Sequence, residues 1–159
     1  MLIEMKVASL TVDPFTNMPI LILKDAAGQT LPVWVGMTEA SAIATELESI
    51  QLDRPMTHDL MKTILSLCAI HVDRIEVHDL KNQTFFATLF LIRPDGSRLA
   101  IDARPSDAIA LALRARAPIF VAKKVLDKAR RLDLPLEVSP PEAPEVPKIP
   151  ATAPSKWKM

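Results

Sequence analysis

The segment Ile101-Asp102-Ala103-Arg104-Pro105-Ser106-Asp107-Ala108-Ile109-Ala110-Leu111-Ala112-Leu113-Arg114 constrains this chain more than any other. An apolar stretch ends in Asp-Ala-Arg-Pro-Ser-Asp and passes directly into a run of alanine and leucine. Alanine and leucine are strong helix formers, and Pro105, Ser106 and Asp107 suit a first helical turn. The pattern predicts a strand-to-helix corner carrying two carboxylates and a guanidinium. Free backbone N–H groups at a helix start attract anions. Such a corner suits a phosphate, a metal ion or a structural ion pair, and the residues alone leave all three open.

A chain of 159 residues, 49% hydrophobic and 24% charged, fits one globular domain with a sizeable core. Composition changes near Leu134. Prolines stand at 135, 140, 141, 144, 147, 150 and 154, which is seven of the chain's 14. Proline at that density removes backbone donors and forbids helix or central strand. The reading is a folded domain over residues 1–133 and a proline-rich, disordered tail over 134–159. A formal net charge of zero argues against gripping nucleic acid by bulk electrostatics alone. The single cysteine, Cys68, cannot close an internal disulfide. It lies in an apolar run and is expected to be a buried small hydrophobe. The N-terminal residues lack a signal-peptide pattern, and no apolar run approaches the ~20 residues of a membrane span. The expectation is a cytoplasmic protein that does not engage membranes.

Apolar runs punctuated by Asp and Gly read as hairpins. One spans Pro19–Gly36 with a turn at Asp25–Gly28, and a helix with Ala42, Ile43, Ala44 and Leu47 follows it. A second spans Phe86–Asp102 with a turn at Pro94–Gly96, followed by a helix with Ala108, Ile109, Ala110 and Leu113. The shared Ala-Ile-Ala-x-x-Leu suggests an internal duplication of a hairpin-helix unit. Between them, Thr57 is a candidate N-cap for a helix with Leu60, Ile64, Leu67 and Cys68 on one face. Residues 70–80 read as a strand. A last helix, about Lys123–Leu132, has Val125, Leu126, Ala129 and Leu132 on one side. The fold class is α+β, with a mixed or antiparallel sheet and helices packed on it.

Four strings in order carry a family resemblance: Leu31-Pro-Val-Trp-Val-Gly with Glu39-Ala40; Arg54-Pro55-Met56-Thr57-His58-Asp59-Leu60; Thr84-Phe85-Phe86-Ala87; and Asp102-Ala103-Arg104-Pro105-Ser106-Asp107-Ala108. Over roughly residues 2–130 the chain resembles the bifunctional nuclease family. The resemblance implies a nuclease acting on DNA and RNA. Two positions depart from the family pattern. Cys68 stands where a helix-capping glycine is usual, and Phe86 stands where tyrosine is common. The chain has no tyrosine, so a mechanism needing a phenol hydroxyl is excluded.

The residues suggest how such chemistry would be organised. Asp102 and Asp107 are candidate ligands for Mg²⁺ or Mn²⁺, which prefer carboxylate oxygen. His58, with Asp59, is a candidate to orient or activate water, and Asp102 joins them as a catalytic candidate. Arg54 and Arg104 both precede proline and are candidates to hold phosphate in one cleft, with Ser106 as a further substrate contact. Each has a structural alternative: Asp102 paired with Arg104, helix-start chemistry at Ser106 and Asp107, and surface ion pairs for the arginines. Glu39 reads as a helix-dipole partner, and Trp34 as packing or an interface rather than base stacking. His71 and His78 are expected to be exposed. The basic run Arg114, Arg116, Lys123, Lys124, Lys128, Arg130 and Arg131 reads as a solvated helix face or a phosphate track.

The leading expectation is a divalent-metal-dependent nuclease of DNA or RNA, working as a homo-oligomer. The alternative is a non-catalytic, oligomerising regulatory module that binds an anion or a partner.

Overall fold

A computed structural model describes residues 1–132; the proline-rich segment lies outside the described residues. The elements run β1 (Leu2–Val12), β2 (Pro19–Lys24), β3 (Thr30–Trp34), α1 (Met37–Leu47), α2 (Thr57–Leu67), β4 (His71–Lys81), β5 (Thr84–Ile92), β6 (Arg98–Ala103), α3 (Pro105–Ala115), β7 (Ile119–Ala122) and α4 (Lys123–Arg131). Seven strands form one sheet in the order β3-β2-β1-β7-β4-β5-β6. Only β4 and β7 pair in parallel; the other neighbours are antiparallel. The protein is α+β with a mixed sheet.

Both hairpin-then-helix units form. Gly28 and Gly96 take φ of +88° and +83° in the two turns, a region open to glycine at little cost. β1 and β7 join the two units, and the hairpin pattern does not signal either of them. β7 has only four residues, too few to show alternation. β1 alternates Ile3, Met5 and Val7 against Glu4 and Lys6, a pattern that is legible in the sequence. The β4–β5 turn uses Asn82 and Gln83 at φ +48° and +60°. Positive φ at both central residues is the type I′ signature that matches strand twist.

The core sits where α3 crosses β4 and β5. Ile75, Val77, Ala87, Leu89, Ile109 and Leu111 are at most 6% exposed there. Each fully buried aliphatic side chain contributes about 1.5–3 kcal/mol. Helix α3 is buried along most of its length because its small residues let α1 and α2 pack closely against it.

Helix α2 departs from expectation. Its apolar residues Leu60, Ile64 and Leu67 are 52%, 51% and 83% exposed, and Cys68 is exposed rather than buried. The only buried residue of α2 is His58. Thr57 is the first helical residue, not the cap. Met56 occupies the cap position, and its N–H donates to Asp59 Oδ2 at 2.8 Å. At the other end Ala69, not Cys68, takes the left-handed conformation at φ +54°. The Ile70 N–H then reaches Leu65 O at 2.8 Å, closing a Schellman turn without glycine.

Candidate active site

Helices α1, α2 and α3 start at a common corner, and their first turns carry the polar side chains that bury one another. Asp107, in the first turn of α3, faces the first turn of α2. His58 Nε2 lies 3.0 Å from Asp107 Oδ1. An ionised carboxylate only accepts, so Nε2 carries the proton and donates it. That leaves Nδ1 as the basic nitrogen. His58 is 6% exposed. Nδ1 makes no hydrogen bond among the described residues, and no wholly buried polar side-chain atom lacks a partner, so Nδ1 is not fully sealed from solvent.

The other oxygen of Asp107 binds Arg104. Arg104 Nε donates to Asp107 Oδ2 at 2.7 Å, and Arg104 Nη2 donates to Glu39 Oε1 at 2.7 Å. Burial pushes the Asp107 carboxyl up, but the bonds from Arg104 and His58 outweigh it and hold it below the usual 3.8. Arg104 is itself raised, first by Asp107 and then by Glu39. Its side chain is 67% exposed and its Nη1 makes no bond among the described residues. Glu39 reaches Arg104 because Gly36, the cap of α1, has no side chain: a Cβ there would collide with Glu39 Oε2.

A second ion pair lies beneath. Arg114, in the last turn of α3, is 4% exposed. Its Nε donates to Asp59 Oδ1 at 2.6 Å, its Nη1 to Ala110 O at 2.9 Å and its Nη2 to Ala42 O at 3.0 Å. One guanidinium thus ties α1, α2 and α3 together. Burial raises the Asp59 carboxyl, but the Met56 N–H and Arg114 outweigh it, and the net direction is down. Arg114 therefore leaves the basic run. Lys124 and Lys128 leave it too, with their ammonium groups 3.8 and 2.7 Å from Asp79. The run is not one phosphate-tracking face.

The expected site is assembled with different partners. His58, Asp107, Arg104 and Asp59 come together, but Asp59 serves Arg114 while Asp107 holds His58. Asp102 is not part of the cluster. It is exposed on edge strand β6 opposite Thr88, on the sheet face away from Ala103 and the core. Asp102 and Asp107 therefore diverge across the sheet. Arg54 is exposed in the α1–α2 connection and makes none of the site's contacts. Ser106 is 8% exposed beside Arg104. Glu39 and Arg114 also belong to the cluster, in roles other than the helix-dipole partner and the basic-run member that the sequence suggests. Glu39 carried the helix-start signal, and Arg114 was masked by its basic neighbours. His71 is exposed as expected, while His78 is half-buried. No three His, Cys, Asp or Glu side chains gather to hold a metal ion among the described residues. Asp107 already uses both oxygens within the protein. As arranged, these residues do not fit a resident Mg²⁺ or Mn²⁺ held by Asp102 and Asp107. Among the described residues, no helix is long and apolar enough to cross a membrane.

Comparison with known proteins bears on this corner directly. The model of the bifunctional nuclease domain matches residues 21–133. An uncharacterized protein of Mycobacterium tuberculosis is 37% identical over 127 residues, covering 79% of this chain and 75% of that protein. Bifunctional nuclease 1 of Arabidopsis thaliana is 29% identical over 109 residues, 66% of this chain and 34% of the plant protein. Bifunctional nuclease 2 of the same plant is 27% identical over 106 residues, 65% of this chain and 32% of its own length. The chain thus spans about a third of these plant relatives. With the matched segment running from β2 through α4 and including every residue of the corner, the chain belongs to the bifunctional nuclease domain family.

Proposed function

We propose that this protein hydrolyses phosphodiester bonds of DNA or RNA at the corner of α1, α2 and α3. The observation that carries the reading is the His58–Asp107 contact at 3.0 Å, with Arg104 held against the same carboxylate. In this reading His58 Nδ1 takes a proton from an attacking water, whose oxygen bonds to phosphorus as the P–O bond to the leaving oxygen breaks. Asp107 keeps the imidazole in the required tautomer and stabilises the imidazolium that forms. Arg104 offers Nη1 to a phosphate oxygen. Asp59 and Arg114 position α2 without touching substrate. The residues present do not assemble a cation's donor set, so no step here is routed through a metal.

A second reading has a specific observation behind it. The exposed apolar stripe of α2 suits an oligomerising, non-catalytic module whose corner is only a structural staple. Cleavage of labelled single-stranded and duplex DNA and RNA separates the two, with His58→Ala in parallel and with arms containing EDTA, Mg²⁺ or Mn²⁺. The nuclease reading expects cleavage by the wild type and a loss of ~10²–10⁴-fold in His58→Ala. No cleavage in any arm, or equal cleavage by both proteins, favours the second reading. The EDTA arm reports whether an added cation takes part.

A further inference from the structure

Beside Arg104, on the side away from His58, lies a cavity of about 250 Å³. It is framed by the end of β3, the β4–β5 turn and the first turn of α3. Its walls include Trp34, Gln83, Thr84, Phe85, Arg104 and Ser106. Trp34, Gln83 and Phe85 also line a second cavity of about 280 Å³ that continues toward Leu80 and Leu132.

Ser106 says most about what the first cavity takes. It is 92% buried, being 8% exposed, yet its hydroxyl makes no hydrogen bond among the described residues. No polar side-chain atom is both sealed from solvent and unpaired. The Ser106 hydroxyl is therefore not fully sealed from solvent, and Ser106 lines this cavity. A buried hydroxyl gains by finding a partner there. The carboxamide of Gln83, an exposed turn residue on the same wall, has no protein partner among the described residues and offers both donors and an acceptor. Gln83 sits at φ +60° in the turn, so a strained position places this amide at the cavity.

We infer that this cavity binds a single unpaired nucleobase, with the phosphate of the same nucleotide on Arg104. The inference rests on the nuclease reading for its choice of substrate and adds a subsite to it. The volume falls below the ~300–1,000 Å³ of pockets that enclose drug-sized ligands. It is large enough for one planar ring system. Aromatic walls at Trp34 and Phe85 suit the face of a base, while the Ser106 hydroxyl and Gln83 amide suit its edge. Arg104 is the one charged group on the walls among the described residues, and its unbonded Nη1 suits the attached phosphate. A base stacked in a duplex cannot enter, so the site selects single strands, loops and ends. Trp34 then has a binding role in place of the packing or interface role its neighbours Val33 and Val35 suggest.

The test is binding without turnover, so it stands or falls separately from cleavage. Adenosine 5′-monophosphate is titrated into ¹⁵N-labelled full-length protein while both indole N–H signals are followed. Trp157 is the internal control, and ribose 5-phosphate is titrated in parallel. The expected result is a saturable, millimolar shift of the Trp34 signal with the nucleotide, at least ten-fold weaker with ribose 5-phosphate. Ser106→Val, which fills the cavity, should weaken the nucleotide at least ten-fold. Gln83→Gly, which suits the positive φ and preserves the turn, should weaken it several-fold. Equal responses to nucleotide and sugar phosphate would overturn the base subsite in favour of a phosphate site alone. No Trp34 shift, or unchanged binding in both variants, would also overturn it. Cleavage with no nucleotide response sinks the subsite and leaves the nuclease reading standing. Nucleotide binding without cleavage does the reverse.

Discussion

The two ends of helix α2 invert the usual rule of burial. At its start the polar His58 is 6% exposed; at its end the apolar Leu67 is 83% exposed. The start is held by Asp107 on His58 and by Arg114 on Asp59, and both partners come from α3. The end, with Ile64 and Leu60 on the same outer stripe, has no such partner among the described residues. The helix is therefore held at its first turn by a polar cluster, while Leu65 packs against the core and the Leu60, Ile64 and Leu67 stripe stays exposed. Buried polar groups tolerate this only when every donor and acceptor is matched. No side-chain polar atom sealed from solvent among the described residues lacks a partner, and His58 Nδ1 and the Ser106 hydroxyl, which have none, keep some contact with solvent.

The comparison breaks most severely at Arg114. In Arg114→Met, Asp59 loses its cation and the Ala42 and Ala110 carbonyls lose their donors. The Asp59 side chain is 36% exposed and recovers some water, so the cost falls at the low end of the buried-pair range, about 3 kcal/mol. Urea denaturation reads it as a lowered midpoint. A shift under about 1 kcal/mol would mean that the cluster does not hold α2.

Acid probes the same end more gently. Asp59 and Asp107 both titrate below 3.8 in the folded protein, Asp59 chiefly through Met56 N–H and Arg114 against burial, Asp107 through Arg104 and His58 against burial. A depressed folded value adds stability that is fully present above the unfolded value. That stability is lost as pH falls through the folded values. The melting temperature should therefore hold down to about pH 4 on account of these groups and then fall. In Arg114→Met the acid limb should be shallower. An identical acid limb in both proteins would show that Asp59 gains nothing from Arg114.

The smallest effect belongs to the other end. Ile64→Glu should change stability by no more than about 0.5 kcal/mol, because Ile64 is 51% exposed. A large loss, with a change of oligomeric state in sedimentation, would instead show that this stripe is covered in solution.

How much of this was legible in the sequence varies by element. The α+β class and both hairpin-then-helix units follow from Asp/Gly punctuation and apolar spacing. Strand β7 does not, because four residues bounded by a helix on each side carry no readable period. The corner was visible as chemistry but not as pairing. Asp59 follows His58 in the chain, yet consecutive helical residues point in different directions. That leaves Asp107, 49 positions away, as the partner of His58. Asp102 read as a site residue because it ends a strand beside the corner. Strand alternation turns it to the far face, a consequence of which strand face meets α3. Arg114 lay in a basic run, and only the three-helix packing shows that it is buried.

The measurement that bears most directly on the account compares Asp107→Asn with Asp102→Asn in the cleavage assay, both variants first shown to be folded. The two carboxylates are five residues apart, and the sequence favours Asp102, a candidate for both catalysis and metal binding, over Asp107, a candidate metal ligand alone. The proposed mechanism uses Asp107, which holds His58, and not Asp102. Asp107→Asn should lose at least ~10²-fold in cleavage, because His58 loses the acceptor that sets its tautomer. Asp102→Asn should cleave like the wild type. Full activity in Asp107→Asn, or an equal loss in both, would contradict the site described above.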